Sequence, residues 1–281
     1  MERSKVRSQV WGVEQGNARS RTDYLATEEP LEIRLTHPRR TVAVTMRTPG
    51  GDFELAAGFL YGEGVVQRRE DIRRISYCVD QAVDGEQRFN IVNVELQENL
   101  APDLQPLERH FYTTSACGVC GKTSLEALKI CCEPIAAEQP IVPAKILYSL
   151  PEQLRAEQGV FKATGGLHAA ALFNAEGNLL ALHEDVGRHN ALDKLIGSAF
   201  LGGGLPLDRH IALVSGRASF EIMQKCLAAR IPIVCAVSAP SSLAVSLAEE
   251  FGITLVGFLR GDRFNLYAGK ERICTGSSTQ S

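Results

Sequence analysis

The chain lacks several features that would assign it to a common class. No apolar run reaches the ~18 residues that a membrane-spanning helix needs, so we expect no membrane association. Positive charge is not in excess: the net charge is −3 and the pI about 6.1, which argues against a protein held to nucleic acid or membranes by a broad electrostatic field. The basic start, Met1–Gln15, has no apolar stretch after it and so is not a secretory signal. We expect residues 1–21 to form a mobile polar tail and the protein to be cytoplasmic.

A disulfide framework is also missing. Eight cysteines occur in 281 residues, without the density or regular spacing of a small secreted domain. Reduced thiols are therefore the default. Cys226 and Cys235 lie in apolar surroundings, and we predict that both are small buried hydrophobic residues.

Hydrophobic residues make up 44% of the chain, enough for a large core. Alternating apolar residues predict strands within 31–47, and further strands are expected at 74–79 and 89–96. Between them, a helix should begin near Asp52 and end at Gly62 or Gly64. These elements predict a small α+β domain over 22–110. Residues 111–144 are rich in proline, glutamate and small residues, and we interpret them as a flexible connecting loop with one helix over 124–131.

Strand and helix alternate from residue 145 to 270, and residues 271–281 are expected to form a tail. We predict helices at 149–158, 189–200, 218–229 and 241–251, a hairpin at 168–182, and strands at 211–215, 232–237 and 253–259. The runs 211–215 and 231–237 are continuously apolar, as strands covered on both faces require. This order predicts an α/β domain with a mostly parallel sheet.

The segment Thr113–Lys122 (TTSACGVCGK) holds a pair of cysteines, Cys117 and Cys120, just before the predicted helix. A helix N-terminus and Lys122 both favour the thiolate, the form that attacks sulfane sulfur or a disulfide. A structural zinc site remains an alternative, although no second Cys-x-x-Cys or His-x-x-x-His completes the ligand set. A thioredoxin-like redox site is another, although the strand expected before its motif is absent. A P-loop is excluded, because position 116 is alanine where its pattern needs glycine.

Four polar segments follow predicted strands or precede them closely. Ser215, Gly216 and Arg217 lie at a strand-to-helix junction whose exposed amides suit a phosphate. Phe258–Arg263 combines two arginines with a glycine turn, which suits a diphosphate or a guanine base. Ordinary turns, caps and solvated faces are the competing interpretation for every one of these segments. Their shared position at strand ends of one sheet favours a single nucleotide-like site. The four segments are 164–168 (TGGLH), 184–194 (EDVGRHNALDK), 215–221 (SGRASFE) and 257–267 (GFLRGDRFNLY).

These motifs together resemble one known family. The segments 51–64 (GDFELAAGFLYGEG), the cysteine loop, 164–168, 184–194, 215–221 and 238–242 (SAPSS) look like those of the formate dehydrogenase accessory sulfurtransferase family, FdhD, in the same order over roughly residues 22–267. The resemblance implies a sulfur carrier that takes sulfur from a cysteine desulfurase. It also implies delivery of that sulfur to the bis-molybdopterin guanine dinucleotide cofactor of molybdenum, before the cofactor enters formate dehydrogenase.

The resemblance also implies roles for individual residues. Cys117 matches the cysteine that bears the persulfide, and Cys120 matches the second cysteine of the pair. The cofactor-binding segment corresponds to Phe258, Leu259, Arg260, Gly261, Asp262 and Arg263, and we add Ser215, Gly216, Arg217 and His189 from the other strand ends. No intrinsic metal is expected, and a homodimer is implied. A non-catalytic chaperone that only binds cofactor and apoenzyme is the alternative function.

The family also resembles cytidine deaminases in the fold of its second half, a three-layer arrangement. A deaminase holds zinc through His/Cys-x-Glu at one helix start and Pro-Cys-x-x-Cys at the next. The corresponding positions here are 189–191 (HNA) and 216–219 (GRAS), which lack the catalytic glutamate and both thiolates. We therefore expect a deaminase-like scaffold without zinc hydrolysis, whose vacant metal position leaves room for a guanine nucleotide.

Overall fold

A computed structural model describes residues 4–98, 100, 104, 132–136 and 140–275. The chain begins with a hairpin of two ten-residue strands, β1 (Lys5–Glu14) and β2 (Asn17–Ala26). Gln15 and Gly16 connect them with φ of 48° and 84°, the conformation that a two-residue hairpin turn needs. Residues 5–21, which were expected to form a polar tail, thus lie in this hairpin. The strands bury little apolar surface, which is why the hydrophobic pattern did not reveal them.

A four-stranded sheet follows, with one helix packed on it. Strands β3 and β6 run parallel and the outer pairs are antiparallel, in the order β4-β3-β6-β5. Leu31, Ile33 and Leu35 alternate onto the buried face and pack in one apolar cluster with Leu55 and Leu60 of the helix. The α+β character of this part is confirmed. Its elements are β3 (Glu29–Thr36), β4 (Arg39–Arg47), α1 (Asp52–Gly62), β5 (Ile72–Tyr77) and β6 (Ile91–Leu96), with short 3₁₀ turns at Arg69–Asp71 and Gln87–Asn90.

The second half is built on a six-stranded sheet with the order β13-β12-β11-β10-β8-β9. Its elements are β7 (Val142–Pro143), α2 (Ala144–Glu157), α3 (Gly159–Thr164), β8 (His168–Phe173), β9 (Leu179–Asp185), α4 (Arg188–Leu201), β10 (Ile211–Val214), α5 (Phe220–Ala228), β11 (Ile233–Ala236), α6 (Ser242–Phe251), β12 (Thr254–Arg260), β13 (Arg263–Ala268), a 3₁₀ turn at Lys270–Arg272 and β14 (Ile273–Cys274). The short strands β7 and β14 pair with each other.

The sheet is mixed, which corrects the prediction of a mostly parallel one. Only β10–β11 and β11–β12 are parallel, whereas the pairs β8–β9, β8–β10 and β12–β13 are antiparallel. The outer strands β9 and β13 each follow their neighbour through a hairpin, and two strands joined by a hairpin are antiparallel. Two separate apolar clusters cover the sheet: one includes residues of α4, α5 and α6, and the other includes residues of α2. Helices therefore lie on both faces, so the α/β class is confirmed, while the deaminase-like comparison remains a prediction.

Helices α1 and α4 join the two halves by direct backbone contact. A Cβ atom added to Gly58 would lie well within 3.0 Å of the Asp193 carbonyl oxygen, and one added to Gly197 would lie equally close to that of Glu54. Real Cβ atoms essentially never approach so closely. The two glycines thus allow the helices to cross at a distance that no larger side chain permits. None of the described helices is both long and apolar enough to cross a membrane.

Candidate functional site

The carboxyl ends of β9, β10, β11 and β12 lie along one edge of the large sheet. The Val237 amide donates to the carbonyl of Val214 over 3.1 Å, and the Phe258 amide donates to that of Ser238 over 3.1 Å. The start of antiparallel β8 reaches the same edge, because the Ser215 amide donates to the Ala169 carbonyl over 2.9 Å. The structure therefore brings the four polar segments of the sequence to one edge of the sheet. We call it the carboxyl edge.

Gly216, which has no side chain, leaves space at the junction after β10. The Ser215 hydroxyl accepts a hydrogen bond from the Ala169 amide over 2.9 Å and so ties β10 to β8. A Cβ atom on Gly216 would meet His168 Nδ1 at 3.4 Å and Arg188 Cδ at 3.7 Å. Arg217 is exposed beside it. The junction thus presents a bare backbone between an imidazole and two arginines.

His189 connects the starts of α4 and α5. Its Nε2 lies 3.3 Å from Ser219 Oγ and 3.6 Å from Glu221 Oε2. Burial, followed by the charge of Arg188, lowers the pKa of His189 to about 4. The same two causes lower the pKa of His168. Both imidazoles are thus neutral near pH 7, and the positive charge at this junction comes from arginine.

Arg188 was not singled out from the sequence as a site residue. Its Nε is buried without a hydrogen-bond partner in the described part of the chain, which marks it as a donor available to an added group. The sequence did contain a hint of this role, because Arg188 follows a predicted strand closely and stands at the first position of a helix. Glu221, which lies beside His189, was likewise part of a motif without a role of its own.

Much of the segment 184–194 is structural. Asp185 is fully buried and pairs with Lys194 Nζ over 2.6 Å. The Thr48 amide donates to Asp185 over 3.1 Å, and Lys194 donates to the Thr48 carbonyl over 2.8 Å. Asn190 donates to the Met46 carbonyl over 2.8 Å. These contacts fasten the start of α4 to the end of β4. The polar residues that make them therefore do not face solvent. Within this segment, only Arg188 and His189 contribute to the strand-end junction.

Glu184 has a local role of the same kind. Its carboxylate accepts hydrogen bonds from the amides of Val160 and Phe161 over 2.9 and 2.8 Å. These are among the first amides of α3, which have no partner inside the helix. Glu184 therefore caps α3 and holds it against β9.

The turn between β12 and β13 forms a pocket of about 330 Å³. Phe258, Arg260 and Arg263 of the predicted segment line it, together with Phe264 and Asn265, which lie beyond that segment. Arg260 and Arg263 are partners across the hairpin, so two guanidinium groups stand at one position. Gly261 has φ of 53°, a conformation that glycine adopts without strain, and it makes the tight turn.

Three residues of the predicted segment do not line this pocket, namely Leu259, Gly261 and Asp262. Leu259 is fully buried and packs in the core shared with α2, so only its backbone is available to a ligand, and its assignment to the cofactor site stays a prediction. The alternation of a strand accounts for this, since neighbours of Leu259 on both sides point to the opposite face. Asp262 is exposed at the tip of the turn.

Cys117 and Cys120 lie outside the described residues, as does the helix predicted over 124–131. Within the part of the chain that the structure describes, no three His, Cys, Asp or Glu side chains converge as metal ligands would. Cys226 and Cys235 are fully buried, which confirms the prediction for both. Burial raises the pKa of Cys226 to about 12 and that of Cys235 further still, so neither thiol is a nucleophile.

Known proteins match this chain over nearly its whole length. A protein-family model described as the FdhD/NarQ family matches residues 26–274. A protein named sulfur carrier protein FdhD from Streptomyces coelicolor is 52% identical over 276 residues, which cover 97% of each chain. The protein of the same name from Sulfurisphaera tokodaii is 44% identical over 272 residues, 96% of each chain.

A solved structure agrees with the sequence relatives. The crystal structure described as that of a formate dehydrogenase accessory protein from Desulfotalea psychrophila superposes with a TM-score of 0.74 at 27% identity, over 96% of this chain and 99% of that one. The match thus spans both halves of the fold. The chain belongs to the FdhD/NarQ family.

Proposed function

We propose that this chain is a sulfur carrier in the maturation of formate dehydrogenase, and that it passes persulfide sulfur from a cysteine desulfurase to the bis-molybdopterin guanine dinucleotide cofactor. The observation that carries the proposal is the carboxyl edge, where Arg217 follows β10, Arg260 ends β12 and Arg263 begins β13. The names of the curated relatives support the sulfur carrier role.

Sulfur loading takes place on Cys117. Its thiolate attacks the outer sulfur of the desulfurase persulfide, a new S–S bond forms on Cys117, and the desulfurase cysteine leaves as a thiolate. Cys120, three positions further on, is within reach of the loaded cysteine. If the Cys120 thiolate attacked Sγ of Cys117, the pair would become a disulfide and the outer sulfur would leave as hydrosulfide, which balances the two electrons that reduction of sulfane sulfur requires.

The cofactor is the acceptor, and its guanine nucleotide ends suit the carboxyl edge. Guanidinium groups bind phosphate oxygens in a fork of two hydrogen bonds. The pocket at the β12–β13 turn offers such groups together with two phenylalanine side chains, which can stack on a base. The neutral imidazoles of His168 and His189 add hydrogen-bonding capacity without changing the charge.

The partners and the cellular location follow from the same proposal. The chain works in the cytoplasm with a cysteine desulfurase as donor and formate dehydrogenase as client, and it acts as a homodimer. It uses no nucleic acid and no metal of its own.

Intact-mass spectrometry tests the sulfur step. After incubation with a cysteine desulfurase and cysteine, the wild-type chain should gain the mass of one sulfur atom, and Cys117→Ala should gain none. Cys274→Ala is the matched control, because Cys274 is exposed and its loss should leave loading unchanged. If Cys117→Ala still supports an active formate dehydrogenase, the chain is instead a non-catalytic chaperone.

Binding of guanosine diphosphate, measured by titration calorimetry, tests the acceptor site. Arg260→Ala and Arg263→Ala should each weaken binding by roughly tenfold or more, since a hydrogen bond to a charged group contributes ~1.5–3 kcal/mol. Arg7→Ala, on the exposed face of the hairpin β1–β2, should leave the affinity unchanged. If all three variants bound guanosine diphosphate as tightly as wild type, the β12–β13 turn would not be part of the acceptor site.

A further inference from the structure

The hairpin β1–β2 is a two-stranded ribbon that the rest of the described chain leaves largely uncovered. Among the described residues its strands pair only with each other, and none of their residues is buried. The base of the ribbon packs beside the end of α3, where a Cβ atom on Gly166 would lie 3.5 Å from that of Ala26. Each strand has ten residues and is therefore about 33 Å long. Since an isolated hairpin is at best marginally stable in water, the ribbon would gain stability from a surface that covers it.

One face of the ribbon has an apolar centre. Residues directly opposite each other in an antiparallel pair lie on the same face, and the register pairs Trp11 with Ser20 and Val13 with Ala18. Trp11 is 73% exposed and Val13 is 69% exposed, so two large apolar side chains stand next to each other in solvent. We call this the Trp11 face. It consists of the odd-numbered positions 5–13 of β1 and the even-numbered positions 18–26 of β2.

The charge on the Trp11 face is of one sign. Lys5 and Arg7 lie on it, whereas the two carboxylates of the hairpin, those of Glu14 and Asp23, lie on the opposite face. The Lys5 ammonium stands 5.1 Å from the centroid of the Tyr24 ring, so positive charge is held beside aromatic surface. An aromatic centre with a polar rim is typical of protein-binding surfaces. The partner that fits this face is apolar at its centre and acidic at its rim.

A loop of the same chain runs alongside the edge strand β4. This loop, residues 79–90, connects β5 to β6. Near the start of β4, Arg39 Nη2 lies 3.8 Å from Asp80 Oδ2. At the end of β4, Arg47 donates to the Phe89 carbonyl over 3.3 Å. The loop and β4 therefore form one continuous surface.

This second surface has an apolar centre and an acidic rim. Its exposed apolar side chains are those of Val44, Met46, Val79 and Phe89. Asp84 and Glu86 are exposed as well. The one cation of the loop, Arg88, is turned back onto the carbonyls of Val83 and Gln81. We call Val44, Met46 and residues 79–90 the β4 patch.

The two surfaces complement each other and together hold most of the exposed apolar surface. Of the twelve large apolar side chains exposed in the described residues, five belong to the hairpin and four to the β4 patch. One surface is basic and the other acidic, so each has the chemistry that the other requires. Both are exposed in a single copy, and the complementary contact is therefore available to a second copy. In a two-fold pair, each hairpin meets the patch of the other chain, and the contact is made twice.

We propose that the Trp11 face of one copy docks on the β4 patch of a second copy, and reciprocally, as the interface of a two-fold dimer. This inference rests on the proposed function for the homodimer alone and is independent of sulfur transfer. Trp11 and Val13 form the apolar centre of the contact. Arg7 lies at its rim, opposite the carboxylates of Asp84 and Glu86.

The chain carries its own probe of this contact, because Trp11 is its only tryptophan. The full-length protein is diluted in steps, and its mass by sedimentation and its tryptophan emission are recorded at each concentration. We expect twice the chain mass at high concentration, with emission that shifts to longer wavelength as the dimer dissociates and Trp11 enters water. Trp11→Ala should raise the dissociation constant by roughly thirtyfold or more, since truncation of a central aromatic residue weakens an interface most.

Charge reversal tests which surfaces meet. Arg7→Glu and Glu86→Lys should each raise the dissociation constant by about tenfold or more, because each places like charges together. An equimolar mixture of the two variants should regain nearly wild-type association, since every hairpin then meets a patch of opposite charge. This rescue also shows that both variants are folded. Arg19→Glu is the matched control: Arg19 is exposed on the opposite face of the same hairpin, so its reversal should change the dissociation constant by less than about twofold.

Several results would overturn the inference. A wild-type chain that stays monomeric at every concentration has no such interface, whatever the colour of its emission. A dimer whose dissociation leaves the Trp11 emission unchanged is held by another surface. The same conclusion follows if the mixed variants fail to associate or if Arg19→Glu weakens the dimer as much as Arg7→Glu.

Intact mass after incubation with a cysteine desulfurase keeps the sulfur role separate. A chain that gains sulfur on Cys117 but does not associate through the Trp11 face remains a sulfur carrier and loses only this inference. A chain that associates as described but gains no sulfur retains the interface and loses the proposed sulfur role.

Discussion

Replacement of Gly197 by alanine tests the joint between the two halves of the molecule. A Cβ atom at this position would collide with the Glu54 carbonyl of α1, and Gly58 shows the reciprocal collision with Asp193. Neither obstacle is the end of a flexible side chain, so the helices must separate by roughly 1 Å or more. Overpacking of a tight interior costs ~1–3 kcal/mol, and the upper end applies where backbone must move.

Helix propensity works in the opposite direction. Alanine is favoured over glycine in a helix interior by about 1 kcal/mol, so the net destabilisation by Gly197→Ala should be about 2 kcal/mol. For a chain of 281 residues, that corresponds to a fall of roughly 3–4 °C in melting temperature, which thermal unfolding followed by circular dichroism resolves. The control is Gly85→Ala, at an exposed glycine with no atom within 4 Å of the added Cβ. A melting temperature for Gly197→Ala equal to that of wild type would refute the close contact between α1 and α4.

Two further predictions concern titratable groups. Asp193 and Lys225 form a buried pair with 2.7 Å between their charged atoms. Asp193→Leu or Lys225→Met alone should lower the free energy of unfolding, measured in urea, by ~3–5 kcal/mol, and the double variant should lower it by clearly less than the sum. Additive losses would contradict the pairing. His189 has a pKa lowered to about 4 by burial and by Arg188, so below pH ~6.5 the unfolded chain takes up a proton that the folded chain does not. The stability of wild type relative to His189→Gln should therefore fall as pH falls from about 6.5 towards 4, and a wild-type ring that titrates near pH 6.5 in NMR would contradict this.

The local pattern of the sequence predicted the elements that bury a clear apolar face. The continuously apolar run around β11 and the helix that begins at Asp52 both occur where expected. The hairpin β1–β2 was missed because its strands leave Trp11 and Val13 mostly exposed, and a pattern argument detects only burial. The direction of the outer strands was also missed, because it depends on hairpin connections rather than on apolar content.

The segment 184–194 shows why site residues are harder to predict than elements. Its charged and amide side chains suggested either a ligand pocket or a solvated face. Lys194 instead binds Asp185 and the carbonyl of Thr48, a partner far away in the sequence that no local spacing reveals. Only Arg188 and His189, at the very start of α4, turn towards the strand-end junction.

The proposed function requires that Cys117 reach the carboxyl edge of the large sheet. Residues 133–136 are held beside the starts of β11 and β12 by Arg230 and Arg272, whereas the arginine-lined turn follows β12. A strand advances by about 3.3 Å per residue, so the four residues of β11 separate the edges by roughly 13 Å. The 15 positions from Cys117 to Cys132 span at most ~50 Å when extended. Cys117 is therefore within reach of the carboxyl edge of its own chain.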